Sequence, residues 1–277
     1  MLTSKIKNLI IYILLFVNLF LIALLASDWL QTRRAERTVL AAVKTILTDS
    51  GITMAQPRLP AHDSVKGYTV SRSLEQEEAF AEALLGRLSA QEAQSGNIMY
   101  YRGERGEAIF RGTGDFEVLL SERPIQIGKD TVDTARSLLR KTGLKGRFAP
   151  ELSTTSGGTY TTVVMVCEFE GLPVVNGKIE FTFTSDALVM IVGTRLLDLQ
   201  REDPSFRPLD SATLLTRFLG IVNRNGYVCN ELREICPVYL YTPDASGGGK
   251  LTPVWRIDTD AGTFYLNMTT GEEQPVM

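Results

Sequence analysis

The pattern of apolar and polar positions splits the chain into an apolar beginning and a long remainder in which helical and strand periodicities alternate. The beginning is one run from Leu9 to Ala26, with Asn18 as its only strongly polar member. At roughly 1.5 Å per residue, about 18 residues come close to the hydrocarbon thickness of a bilayer. A helix is required there, because in lipid it satisfies its own backbone groups. Lys5 and Lys7 precede the run, and Trp29 follows at the expected headgroup level. The pattern predicts a short cytoplasmic N-terminus (1–8) and a transmembrane anchor (9–29). A cleaved signal peptide would have a shorter core and small residues at its cleavage site, and Leu24-Leu25-Ala26-Ser27 matches that poorly. Arg33, Arg34 and Arg37 lie beyond the run, but long domains translocate largely regardless of flanking charge. The reading therefore places the C-terminal domain outside the cell. Asn18 is a candidate contact to a partner helix, or satisfies its own backbone.

Helical spacing resumes over Ala35 to Ser50 with Val39, Val43 and Ile46, which predicts a juxtamembrane stalk helix within 30–51. A first α+β unit is expected over 52–125. Ser73 and Gln76 fit a capping box, Glu75, Glu77 and Glu78 suit the positive end of the helix dipole, and Phe80, Leu84 and Leu88 form the apolar face. Strands are predicted at Ile98 to Arg102, Glu107 to Arg111 and Phe116 to Leu120. The second unit (126–200) starts with a helix capped by Asp130 and stopped by Gly143. Strands follow at Tyr160 to Glu170, Pro173 to Thr184 and Leu188 to Leu196. The third unit (201–277) has a helix from Ser211, capped by Asp210 and ended by Asn225-Gly226. Its strands are Val238 to Thr242, Pro253 to Thr259 and Thr263 to Asn267. The predicted class is α+β: an N-terminal transmembrane helix followed by repeated helix-plus-antiparallel-sheet units.

Composition narrows the chemistry. The 277 residues carry 29 basic and 32 acidic side chains, a net charge of -3. That balance argues against a nucleic-acid partner. The single histidine, His62, lies in a Pro-bounded polar stretch, so histidine-dependent nucleophilic catalysis would have to recruit this one residue. No HExxH, CxxC, Walker A or GxGxxG spacing occurs, and Gly247-Gly248-Gly249 reads as a flexible hairpin tip. No catalytic residue, metal site, cofactor or small-molecule substrate is expected. The three cysteines are Cys167, Cys229 and Cys236. Cys229 and Cys236 are a possible disulfide across a hairpin, or two small apolar side chains. Cys167 alternates with Val163, Met165 and Phe169 and reads as core.

Three stretches carry a resemblance. They are the basic start leading into Ile10 to Leu25; Gly171-Leu172-Pro173-Val174-Val175-Asn176-Gly177 with the strands ending near Val192-Gly193-Thr194; and Pro253-Val254-Trp255-Arg256-Ile257 followed by Gly262 to Asn267 and Thr270-Gly271-Glu272. On these the chain resembles the YycI side of the YycH/YycI family, membrane-anchored regulators of the WalK sensor histidine kinase in Gram-positive bacteria. The third stretch also resembles PepSY-type domains. The resemblance implies a non-enzymatic regulator whose partners are a WalK-like sensor histidine kinase and a YycH-like sister protein at the membrane. The alternative is a PepSY-like module that restrains a secreted or cell-wall hydrolase. A third reading, a carboxylate-based exported enzyme, would use Glu168 and Glu170 on one strand face with Glu180 on the next strand. The plain reading of these acids is a solvent face, and that of Trp255 and Tyr265 is core.

Overall fold

The structure is a computed structural model describing residues 17, 18, 20, 41, 42, 44–55, 65–95, 97–150, 154–156, 160–244 and 247–276. Strands β1 (Thr53–Met54) and β2 (Tyr68–Ser71) precede helix α1 (Leu74–Leu85). A meander follows: β3 (Leu88–Gln94), β4 (Ile98–Gly103), β5 (Gly106–Arg111) and β6 (Asp115–Leu119). Strand β7 (Ile125–Gln126) leads to helix α2 (Thr131–Thr142). Next come β8 (Gly146–Phe148), β9 (Thr154–Ser156), β10 (Tyr160–Phe169), β11 (Leu172–Phe183), β12 (Ala187–Thr194) and β13 (Leu199–Glu202). Helix α3 (Ser211–Asn225) then precedes β14 (Glu231–Pro243), β15 (Gly248–Thr259) and β16 (Thr263–Asn267).

The helix signals act locally, as expected. Ser73, Asp130 and Asp210 each accept a hydrogen bond from the backbone N–H three residues on, at 3.3, 2.6 and 2.9 Å. Each satisfies a donor the helix cannot pair internally. Gly143 (φ 74°) and Gly226 (φ 68°) end α2 and α3 in the left-handed conformation.

The predicted class is corrected by the sheet. Strands from all three expected units join one mixed sheet in the order β13-β2-β15-β14-β11-β12-β6-β5-β4-β3. The first and second meanders meet where β6 pairs antiparallel with β12, Val118 opposite Ile191. Strand β2 pairs with both β13 and β15, and β11 touches β14 in parallel at Val174 and Tyr239. Repeated helix-plus-antiparallel-sheet units would leave each meander with an open edge. Here those edges pair with one another, which satisfies their backbone groups. Among the described residues no helix is long and apolar enough to cross a membrane. The anchor expected over 9–29 lies outside the described residues except at Val17, Asn18 and Phe20, and His62 also lies outside them.

Strand β3 has no counterpart among the strands that the sequence pattern predicts. Leu88, expected on the face of α1, begins β3 instead, because Gly86 (φ 77°) ends the helix two residues earlier.

Helices cover one face of each half of the sheet. In the first half, Phe80 of α1 packs edge-on against Phe110 and Phe116, with centroids at 5.8 and 5.4 Å. In the other half, Leu214 and Leu215 of α3 lie over Ile235, Trp255 and Ile257, and Phe218 meets Phe264 edge-on at 5.4 Å. Each such fully buried side chain contributes about 1.5–3 kcal/mol.

Candidate functional site

The two halves of the sheet join through a narrow contact, and a cavity opens beside it. Tyr68 of β2, Phe169 of β10 and Tyr239 of β14 form an edge-to-face cluster with centroids 4.8 to 6.3 Å apart. The Tyr239 hydroxyl donates to the Lys66 carbonyl at 2.9 Å. The cavity has a volume of about 570 Å³. Gln76, Ala79 and Phe80 of α1 form one wall, and the end of α2 with Leu144 and Lys145 forms a second. Cys167 to Glu170 and the connector from Arg195 to Gln200 close it.

Arg195 and Asp198 of its lining belong to a buried ionic cluster. Glu77, in the first turn of α1, is 1% exposed, and its carboxylate joins Arg72 at 2.5 Å and Arg195 at 2.9 Å. Arg195 also reaches Asp198 at 2.5 Å. The Asp198 carboxylate accepts from the Ser73 N–H at 3.0 Å, and the Tyr101 hydroxyl donates to Glu77 at 3.2 Å. The Arg195 guanidinium stands over the rings of Phe80 and Phe110, at 5.5 and 5.6 Å. Two guanidiniums thus face two carboxylates, so the cluster is neutral and richly hydrogen-bonded. A buried ion group persists only under those conditions. The N-terminal end of α1 adds a favourable dipole for Glu77.

The rim is different. Among the described residues Lys141 and Lys145 form no ion pair, and both line the opening. Glu168 is held by Arg147 at 2.8 Å. Glu170 and Gly171 make the two-residue turn from β10 to β11, both with positive φ (49° and 77°). That is the type I′ geometry favoured in hairpins, where asparagine and glycine normally stand. Cys167 is buried at the edge of the cavity, and burial pushes its thiol up to about 12, so it stays a neutral, unreactive thiol.

The structure sorts the residues singled out from sequence. Glu168 and Glu170 line the cavity, whereas Glu180 is exposed on β11, paired with Val164 and Val192. Asn18 is helical and exposed. Cys229 and Cys236 are free cysteines. They do not face each other across a hairpin, because β14 begins at Glu231 and carries Cys236 onward as one continuous strand. Seven residues of extended chain span on the order of 20 Å, against a disulfide limit of roughly 7 Å between Cα atoms. Trp255 is buried under α3, while Tyr265 is half-buried against Val238, Leu240 and Val254 on the other face. Among the described residues no group of histidine, cysteine and carboxylate side chains could hold a metal ion.

The ionic cluster has no signature in the local sequence. Glu77 looked like one of three acids serving the helix dipole, and Arg195 lies 118 positions away from it. No local pattern links the two.

No family model and no curated protein matches the chain. Among solved structures, it is similar to an uncharacterized protein from Eubacterium rectale ATCC 33656. The identity is 12%, the match covers 77% of this chain and 86% of that chain, and the TM-score is 0.47.

Proposed function

We propose that this chain is a non-enzymatic regulatory protein that works by binding other proteins, a sister regulator and a two-component sensor histidine kinase. The observation that carries the reading is the open cavity at the sheet junction. Its buried ionisable groups neutralise one another, and its rim presents Lys141, Lys145 and Glu170. Such a surface offers recognition by charge and shape. The YycH/YycI resemblance in sequence supports the choice of partners. A location at the cell membrane, with the sheet domain outside the cytoplasm, rests on the apolar run Leu9 to Ala26. Regulation would follow from unequal binding to two signalling states of the kinase, since only that difference shifts their populations. The alternative is a PepSY-like module that restrains a secreted or cell-wall hydrolase, and the capture experiment below separates the two.

The test is in-cell crosslinking of the full-length chain, with capture and mass spectrometry, alongside the double variant Lys141→Glu, Lys145→Glu. Recovery of a sensor kinase and a second regulator, reduced in the variant, is the expected result. Recovery of a hydrolase without a kinase would sink the reading. So would full kinase recovery by a correctly folded variant, which would move the contact away from the cavity.

A further inference from the structure

The charges that line the cavity are polarised. Arg195 and Asp198 hold each other, and Glu168 is held by Arg147 at 2.8 Å. Among the described residues Lys141, Lys145 and Glu170 take part in no ion pair, and all three line the cavity. The two lysines share a wall for a local reason. Gly143, left-handed at φ 74°, ends α2 between them, and the Glu168 N–H donates to the Lys145 carbonyl at 2.9 Å. Glu170 stands apart from them, at the turn from β10 to β11. Phe80, Leu144 and Leu196 supply apolar lining.

We propose that the cavity takes a short acidic peptide segment of the partner, with a carboxylate at Lys141 and Lys145 and apolar neighbours against Phe80, Leu144 and Leu196. The inference rests on the protein-binding reading above and names what that partner presents. Charge decides the sign, because two ammonium groups without an ion pair attract a carboxylate and repel a basic segment. Glu170 decides against a simple inorganic anion. It repels one, whereas a peptide also brings backbone N–H donors that a carboxylate accepts. Size agrees: about 570 Å³ lies within the range of ligand-sized pockets, roughly 300–1,000 Å³, so a short segment fits and a folded domain does not. The chain as a whole carries a net charge of -3, so attraction of an acidic peptide has to come from a local site.

The experiment measures fluorescence anisotropy of three labelled, acetylated and amidated pentapeptides with the full-length chain in mild detergent, against empty micelles as the blank. The peptides alternate leucine with glutamate, glutamine or lysine. The glutamate peptide is expected to bind about fivefold more tightly than its glutamine twin, from two partly exposed charge pairs, and the lysine peptide most weakly. The double variant Lys141→Gln, Lys145→Gln should abolish that preference. Lys178→Gln, at a lysine exposed on β11 outside the cavity, should keep it. Inorganic phosphate at matched ionic strength should not displace the glutamate peptide. Equal binding of the glutamate and glutamine peptides overturns the proposal, as does a preference that survives in the double variant, displacement by phosphate, or no binding up to millimolar peptide. Such a failure leaves the protein-binding reading standing if in-cell capture of the kinase still depends on the two lysines. Acid-selective binding without kinase capture keeps the site and removes that reading of its partner.

Discussion

The side-chain amide of Asn176 pairs with both backbone groups of Tyr241: its Nδ2 donates to the Tyr241 carbonyl at 2.7 Å and its Oδ1 accepts from the Tyr241 N–H at 2.9 Å. Strands β11 and β14 share a single parallel bridge, Val174 to Tyr239. Two residues further along, the Asn176 amide takes the place of a peptide group and extends the ladder by another step. The Tyr241 hydroxyl then donates to the Thr113 carbonyl at 2.7 Å, reaching the first meander. One side chain therefore helps weld two halves of the sheet.

Replacing Asn176 should loosen that weld. Asn176→Asp keeps an acceptor for the Tyr241 N–H but leaves the Tyr241 carbonyl without its donor. Asn176→Ala loses both bonds. Each is expected to cost about 1–3 kcal/mol, with alanine the worse. Urea denaturation with a shared slope checks it, and an unchanged midpoint for Asn176→Ala would refute the role.

Removing one member of the buried cluster should cost more. Glu77→Gln keeps the shape but leaves the guanidiniums of Arg72 and Arg195 facing a single carboxylate. An uncompensated buried charge costs about 3–5 kcal/mol. The half-exposed pair Lys66 and Glu202, 2.8 Å apart, is the internal control, because Lys66→Ala should cost no more than about 1 kcal/mol. Equal losses in the two variants by chemical denaturation would contradict the buried network as described.

Alkaline titration should unfold the sheet junction. Tyr101, Tyr239 and Tyr241 have phenols pushed well above the ordinary value of 10.0, first of all by burial. A raised folded-state value means that their stabilising contribution is complete below the unfolded-state value. It is lost as pH climbs from there towards the folded-state value. Stability should therefore fall above about pH 10, and phenolate absorbance from these residues should rise together with unfolding. A smooth titration of every tyrosine in the folded protein would refute the burial.

The three cysteines should remain reduced. Intact mass without reductant is expected to show three free thiols, and a reductant should leave the melting temperature unchanged. Cys167 should resist alkylation in the native state, in line with a thiol raised to about 12 by burial. A mass lower by two hydrogens, mapped to Cys229 and Cys236, would contradict the placement of both along one run of chain.

What the sequence by itself determined is local. Ser73, Asp130 and Asp210 start helices because a cap acts over three residues, and Gly143 and Gly226 end them because left-handed backbone suits glycine. The long strands around Tyr160 to Thr194 and Pro253 to Asn267 were legible from their alternation and β-branched content. Strand β3 was not, because Ser89, Gln91, Glu92 and Gln94 on an overhanging edge leave no apolar alternation. Tertiary structure alone decided how the meanders combine. Any open edge can pair with any other, so Val118 opposite Ile191 and Val174 beside Tyr239 have no signature in spacing. It also decided the ionic cluster beside the cavity. Glu77 and Arg195 attract each other only once the sheet has closed and excluded water, and no pattern along the chain encodes the meeting of two charges 118 positions apart.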